Sequence, residues 1–313
     1  MGWTPENGDA DRQVDRRRLK RQVVLWRSLA LIVATVLVTL LAVRFAHDGG
    51  DGLVPGSPYI ARLPIAGVIQ SDRNLLDRID RLTREDAAQA VILQIDSPGG
   101  TYAGSEALYG ALRRLAERKP VVAVLGGVAA SGGYMAALAS DHIVARAGSI
   151  TGSVGVIMQL PRLKGLLDSL GIAVDEVRSG PLKAVPSPFQ DGDAAGRVAA
   201  RSIVDDLFDQ FLGIVLSRRA LGGSALEQVR TGRVFTGQQA LPLGLIDAIG
   251  GEAEARAWLA ATHGVAPSLA VREVAGEDQA EMLERLLKGV AGATLLGPQP
   301  IVDGPWAVWH PVL

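Results

Sequence analysis

An α/β domain built on a parallel sheet, with helices on both faces, is what this sequence predicts. Apolar runs such as 91–95, interrupted only by Gln94, and 121–125 alternate with stretches of helical periodicity, the pattern of strands buried on both faces. The chain has 313 residues, 48% of them hydrophobic, and a mean hydropathy of +0.22. That is enough for one core domain of about 200 residues with appendages. Formal charge is −1, with 32 Lys and Arg against 33 Asp and Glu, so no global field attracts nucleic acid. Cysteine is absent, which excludes disulfides, thiolate metal sites and a cysteine nucleophile and suits an exported domain.

Read in order, residues 1–22 form a basic tail carrying Arg12, Arg16, Arg17, Arg18, Lys20 and Arg21. Residues 23–43 are apolar apart from Arg27, two Thr and one Ser, long enough to cross about 30 Å of hydrocarbon as a helix. The span is taken as 23–45, and the basic bias before it predicts a cytoplasmic N-terminus with the bulk of the chain outside. A cleaved signal peptide is the alternative, although Arg44 interrupts the small residues after the run. Residues 46–58 are a Gly-, Pro- and Asp-rich linker.

The folded part, 59–263, opens with an apolar stretch at 60–69, a helix at 74–84, a strand at 91–95 and a helix at 105–118. A strand at 121–125, a helix at 132–140 and short strands at 143–145 and 153–157 follow. Then come a helix at 161–170, a strand at 174–177, a Gly- and Pro-rich loop at 179–188, and an amphipathic helix at 194–220 with an apolar stripe through Ile203, Leu207, Phe211 and Val215. After Gly251 a helix, a short strand near 269–274 and a helix near 279–287 precede a Gly- and Pro-rich tail. Residues 264–313 form an extension without a usable motif, and there is no internal repeat.

Two glycine-rich turns lie where such sheets place ligand sites, outside the carboxyl ends of strands. Asp96-Ser97-Pro98-Gly99-Gly100 follows the strand 91–95, and the segment 126–133, containing Ser131-Gly132-Gly133, follows the next. Ser131 precedes a helix, so its side chain either caps that helix or acts as a nucleophile supported by the helix dipole and an oxyanion hole built from the N–H groups of Gly100 and Gly132. The chain has only four histidines, His47, His142, His263 and His310, which makes a Ser/His/Asp triad hard to assemble. A lysine held in a dry pocket supplies the base instead. Lys183 lies in an apolar loop, Pro181-Leu182-Lys183-Ala184-Val185-Pro186, and reads either as that base or as a solvated surface residue. Ser153 reads as a hydrogen-bond partner that orients the amine or as a turn residue, and His142 as structural.

These motifs, in this order, resemble the signal peptide peptidase A family, the membrane-anchored Ser/Lys peptidases of the ClpP/crotonase superfamily. The resemblance covers roughly 59–258 and rests on Asp-Ser-Pro-Gly-Gly at 96–100, Ala-Ser-Gly-Gly-Tyr at 130–134, Thr-Gly-Ser-Val-Gly at 151–155, Ser-Gly-Pro-Leu-Lys at 179–183 and Gly-Arg-Val-Phe-Thr-Gly at 232–237. The spacing from Ser131 to Lys183 matches the short, single-repeat members. The resemblance implies a ClpP/crotonase-like spiral of β-β-α units, with Ser131 as nucleophile, Lys183 as general base, Ser153 positioning the lysine, and Gly100 with Gly132 as the oxyanion hole. It implies no cofactor and no metal. Further implications are a homo-oligomeric ring or dome whose sites combine serine and lysine from neighbouring protomers, and apolar remnant signal peptides as substrates. The expected location is a bacterial cytoplasmic membrane, with one span contacting lipid and the catalytic domain on the extracytoplasmic side. The residue before the lysine, commonly Tyr in the family, is Leu182 here. Competing readings are a related protease of membrane-protein segments, a crotonase-like acyl-CoA binder, and an inactive scaffold.

Overall fold

A computed structural model describes residues 26–33, 35–36, 57–192 and 194–274. The chain divides into two compact units, Met1–Ser57 and Pro58–Leu313. In the first, 26–33 and 35–36 are helical; the rest of the expected span, the basic tail and the linker as far as residue 56 lie outside the described residues. No helix among the described residues is long and apolar enough to cross a membrane.

The second unit begins with β1 (Tyr59–Ile69), α1 (Arg73–Arg84), β2 (Ala88–Gly100), α2 (Tyr102–Ala116), β3 (Val121–Ala130) and α3 (Gly132–Ala137). Next come β4 (His142–Ala145), β5 (Ile150–Gly152), α4 (Lys164–Ser169), α5 (Ala194–Arg218) and α6 (Gly223–Arg230). It ends with β6 (Val234–Thr236), α7 (Gly237–Ala240), β7 (Ala248–Ile249), α8 (Glu252–His263) and β8 (Val271–Glu273). Helix starts are capped locally: Asp72 accepts from the Leu75 N–H to open α1, and Thr101 accepts from Gly104 to open α2. Left-handed Gly264 closes α8 at φ 66°.

One mixed sheet runs β6-β5-β3-β2-β1-β8, with β4 also on β3 and β7 on β4. Every pairing is parallel except β5 with β6. Strand alternation divides the core in two. Val91, Leu93 and Ile95 of β2 and Val121, Ala123 and Leu125 of β3 join the larger cluster with α1, α2 and α3. Ala90, Ile92, Val122 and Val124 face the other way, onto Ala255 and Leu259 of α8. Each large side chain fully buried in this way contributes about 1.5–3 kcal/mol.

β3 forks along one edge. Its first half, Val122 to Leu125, pairs with β4, and its second half, Val128 to Ala130, pairs with β5. On the opposite edge, where the β2–β3 register shifts between Ile95 and Ser97, the Asp96 carboxylate of β2 accepts from the Val128 N–H at 3.0 Å.

The structure departs from the expectations in several places. The Asp96–Gly100 motif is not a turn after the strand but its continuation, because a register shift after Ala66 lets Val68 and Ile69 pair with Gly99 and Gly100. The strands expected at 153–157 and 174–177 are irregular; beyond Ser153 no strand among the described residues pairs with them, and Val177 is fully exposed. The helix expected at 161–170 shrinks to α4, and α3 stops at Ala137. The helix expected at 279–287 lies outside the described residues.

Candidate active site

Ser131 sits at the junction of β3 and α3 with φ 53° and ψ −121°, a conformation that L-residues with side chains rarely adopt and that costs about 1–3 kcal/mol. The backbone around it is held at both ends. Its N–H donates to the Gly152 carbonyl at 2.9 Å, and its own carbonyl accepts from the Met135 N–H at 2.9 Å. The side chain makes no capping bond to α3. A hydroxyl on a sharp strand-to-helix turn, released from capping, is arranged like the nucleophile of hydrolases that use such an elbow.

Two glycines let the chain close around this turn. An atom added as Cβ at Gly100 would lie 1.7 Å from the Ile69 carbonyl oxygen, and one at Gly132 would lie 2.1 Å from Ser105 Oγ and 3.3 Å from the Gly100 nitrogen. The end of β2 and the start of α3 thus meet backbone to backbone. The Thr101 N–H donates to the Ile69 carbonyl at 2.9 Å, and successive amides of a strand point to opposite edges, so the Gly100 N–H is directed away from β1. The Gly132 N–H belongs to the first turn of α3, whose amides have no intrahelical partner. Both donors border the Ser131 cleft.

Residues that sequence reasoning did not single out hold this arrangement. The fully buried Ser97 donates to the Gly67 carbonyl at 2.6 Å and accepts from the Gly99 N–H at 3.1 Å. Buried Ser105 donates to the Thr101 carbonyl at 2.9 Å beneath Gly132. Tyr134 anchors α3 through a 2.8 Å bond from its hydroxyl to the Leu245 carbonyl, and burial pushes its phenol pKa up. Side-chain bonds to backbone carry no sequence period; the one available signal was that all three residues lie inside or beside the glycine motifs.

Ser153 is next in step with Ser131: Ala130 pairs with Gly152 in the β3–β5 ladder, and each serine follows its paired residue. It is half-buried, has φ 52°, and its N–H donates to the Arg233 carbonyl at 3.0 Å. Lys183 is elsewhere. It occupies an exposed turn in which its N–H donates to the Gly180 carbonyl at 3.2 Å, and it does not line the cleft beside Ser131. Leu182 next to it is 50% exposed. Within one chain, therefore, Gly100, Ser131 and Gly132 come together, Ser153 flanks them, and the amine is not in a dry pocket.

His142 starts β4 far from this chemistry. Its ring stacks on Trp258 at 4.7 Å and 8° and lies 3.7 Å from Asp247; burial lowers its pKa, so it serves the α8 face of the sheet. The cleft beside Ser131 has a volume of about 290 Å³ and is walled by Tyr102, Met135, Leu207 and Phe211, with Gly100 and Gly132 at its edge. Among the described residues no group of three or more His, Asp or Glu side chains could hold a metal ion.

Comparison with known proteins places the chain in a family. The sequence pattern of Peptidase family S49 matches residues 113–266. A Synechocystis sp. protein named "Putative protease slr0021" is 36% identical over 231 residues, covering 74% of this chain and 83% of that protein. The chloroplastic serine protease SPPA of Arabidopsis thaliana is 30% identical over 254 residues, covering 80% of this chain but 35% of that protein. Among solved structures, a membrane-bound stomatin-specific protease covers 70% of this chain and 98% of its own at 18% identity and TM-score 0.46, a likeness too slight to carry an argument. The motifs that surround Ser131 and the long match to the Synechocystis protein lead to one conclusion: the chain belongs to peptidase family S49.

Proposed function

We propose that the chain is a membrane-anchored serine endopeptidase whose Ser131 attacks peptide bonds and whose Lys183 is the general base. The observation that carries this reading is the uncapped Ser131 hydroxyl, held at φ 53° beside the N–H groups of Gly100 and Gly132. In the first step the Lys183 amine takes the hydroxyl proton as Ser131 Oγ bonds to the substrate carbonyl carbon. The carbonyl oxygen becomes an oxyanion facing the two N–H groups. The amine leaving group departs with the proton returned by Lys183, leaving an ester on Ser131. Water, deprotonated by the same amine, then releases the carboxylate and regenerates the hydroxyl.

Because Lys183 is exposed and outside the cleft in a single chain, the base acts on the Ser131 of a neighbouring copy in a homo-oligomer, and Ser153 orients it there. Assembly would bury the amine beside the serine and keep water from it. The apolar run 23–43 anchors the enzyme with its catalytic domain on the extracytoplasmic side, where apolar remnant signal peptides are its substrates. Mixing two dead variants tests the shared site. Ser131→Ala and Lys183→Ala should each lose cleavage of an apolar signal peptide, and co-assembled they should regain part of it. Full activity in Lys183→Ala would end the reading.

A further inference from the structure

β8 covers only the first part of the outer edge of β1. It pairs with Ile60, Ala61 and Arg62, and the Val274 N–H adds one more bond, donating to the Arg62 carbonyl at 2.8 Å. β1 runs on to Ile69, and no strand among the described residues pairs with it there on that side. Alternate residues of a strand turn their backbone groups to the same edge. Since Ile60 and Arg62 bond toward β8, Pro64 and Ala66 are the next to face that way. A proline suits an edge, where no ladder bond needs its N–H, and Ala66 is exposed. Such an edge is a template for a further strand. It ends at Gly67, where φ is 71° and the register of β1 shifts.

A groove of about 660 Å³ lies beside this edge, lined by Pro64, Ala66 and Val68 of β1 and by Arg73, Leu75 and Arg78 of α1. Arg78 also lines a neighbouring hollow of about 360 Å³ together with Val274, so the chain leaves β8 beside the groove. The Asp72 carboxylate there is engaged in capping α1, and among the described residues Arg73 and Arg78 have no ion-pair partner. The residues that follow, Ala275-Gly276-Glu277-Asp278-Gln279-Ala280-Glu281, carry three carboxylates and no cation.

We infer that residues 275–278 of the same chain extend β8 along β1 and close its edge. Continuing the register of Arg62 with Glu273 sets Gly276 beside Ile65 and Asp278 beside Gly67. The Gly276 N–H then donates to the Pro64 carbonyl, the Ala66 N–H to the Gly276 carbonyl, and the Asp278 N–H to the Ala66 carbonyl. Val274 packs on the cluster that α1 covers, so Gly276 and Asp278, two and four residues on, face α1 as well. Asp278 thereby meets Arg73 and Arg78, and Gly276 leaves room for them. The inference does not depend on the peptidase reading.

Hydrogen exchange on the full-length protein in detergent tests this through the Ala66 N–H, read in a peptide covering 64–69. The wild type should protect it, and Asp278→Pro, which removes the donor to the Ala66 carbonyl, should speed its exchange about tenfold, the size of one hydrogen bond. Arg78→Glu should also speed it, and adding Asp278→Arg should restore protection. An Ala66 N–H that exchanges equally fast in the wild type and Asp278→Pro, or is equally protected in both, overturns the inference. The chain lacks cysteine, so Ala66→Cys with Glu277→Cys, joined by a short bis-maleimide, identifies the source of the strand. A crosslink within one chain supports the inference. A crosslink between chains gives the edge to a second copy, and protection that arises only when an apolar peptide is added gives it to a substrate; either result overturns it.

Discussion

The serine and the lysine stand in two differently built regions. Around Ser131 the chain is sheet end and helix start, with Ser97, Ala129, Gly133 and Tyr134 buried and both the N–H and the carbonyl of Ser131 bonded to backbone. From 153 to 192 the chain is mostly irregular and leaves large apolar side chains uncovered, including Ile157 at 80% and Val177 at 104% exposure. Sheet packing thus fixes the Ser131 turn within one chain. The segment that carries Lys183 bears apolar surface of the kind that marks an interaction site. The difference shows that order need not be uniform across neighbouring loops: backbone strain is held where the scaffold is rigid, while the irregular segment leaves its apolar side chains uncovered.

The largest effect should come from adding one methyl group to each region. Gly100→Ala drives a Cβ into the Ile69 carbonyl, whereas Gly180 has open space around the same position. We expect Gly100→Ala to lose more than about 4 kcal/mol or fail to fold, and Gly180→Ala to change stability by less than about 0.5 kcal/mol, measured by denaturant unfolding. Equal losses would break the contrast. Next in size, Ser131→Gly should relieve the positive φ and raise stability by about 0.4–1 kcal/mol while abolishing cleavage; a lower melting temperature would show that the turn is unstrained. Val177→Asp should leave the isolated domain within about 0.5 kcal/mol of wild type and weaken assembly, read by sedimentation. Unchanged assembly would remove that surface from the interface.

The smallest effect concerns acid. Burial lowers the His142 pKa, so the unfolded chain takes up that proton first and stability falls as the pH drops below about 6.5. Asp247 is also lowered, by its hydrogen bonds and charge pairing with Arg219, which outweigh the opposing desolvation; its contribution is present above the usual carboxylate range and is lost at still lower pH. His142→Phe should flatten the first part of a melting-temperature profile against pH. An unaltered slope would mean that His142 carries no linked proton.

Much of this was legible in the sequence where a single physical rule governed. The runs at 91–95 and 121–125 are strands because both faces are buried, and the stripe through Phe211 and Val215 is a buried helix face. The expected strands at 153–157, Ser-Val-Gly-Val-Ile, and 174–177, Val-Asp-Glu-Val, carry a weaker apolar signal, and both are irregular and partly uncovered. Apolar patterning reports that a segment is to be buried, not that a sheet edge does the burying. β6 and β7, at three and two residues, are too short to show a period. The glycines around Ser131 could be read because close approach excludes a side chain. Ser97 and Ser105 could not, since their bonds to backbone exist only once the fold has surrounded them.

The fork in β3 bears on the order in which the molecule matures. Ser131 is latched to Gly152, and the strand carrying Gly152 is braced on its far side by β6, with Ser153 bonded to the Arg233 carbonyl. That brace comes from much later in the chain, and distant pairings close slowly because loop-closure entropy opposes them. A ribosome that has made the sheet as far as β5 has therefore not yet made the element that secures the two serines. The turn at Ser131 is thus braced on its far side only when nearly the whole domain exists.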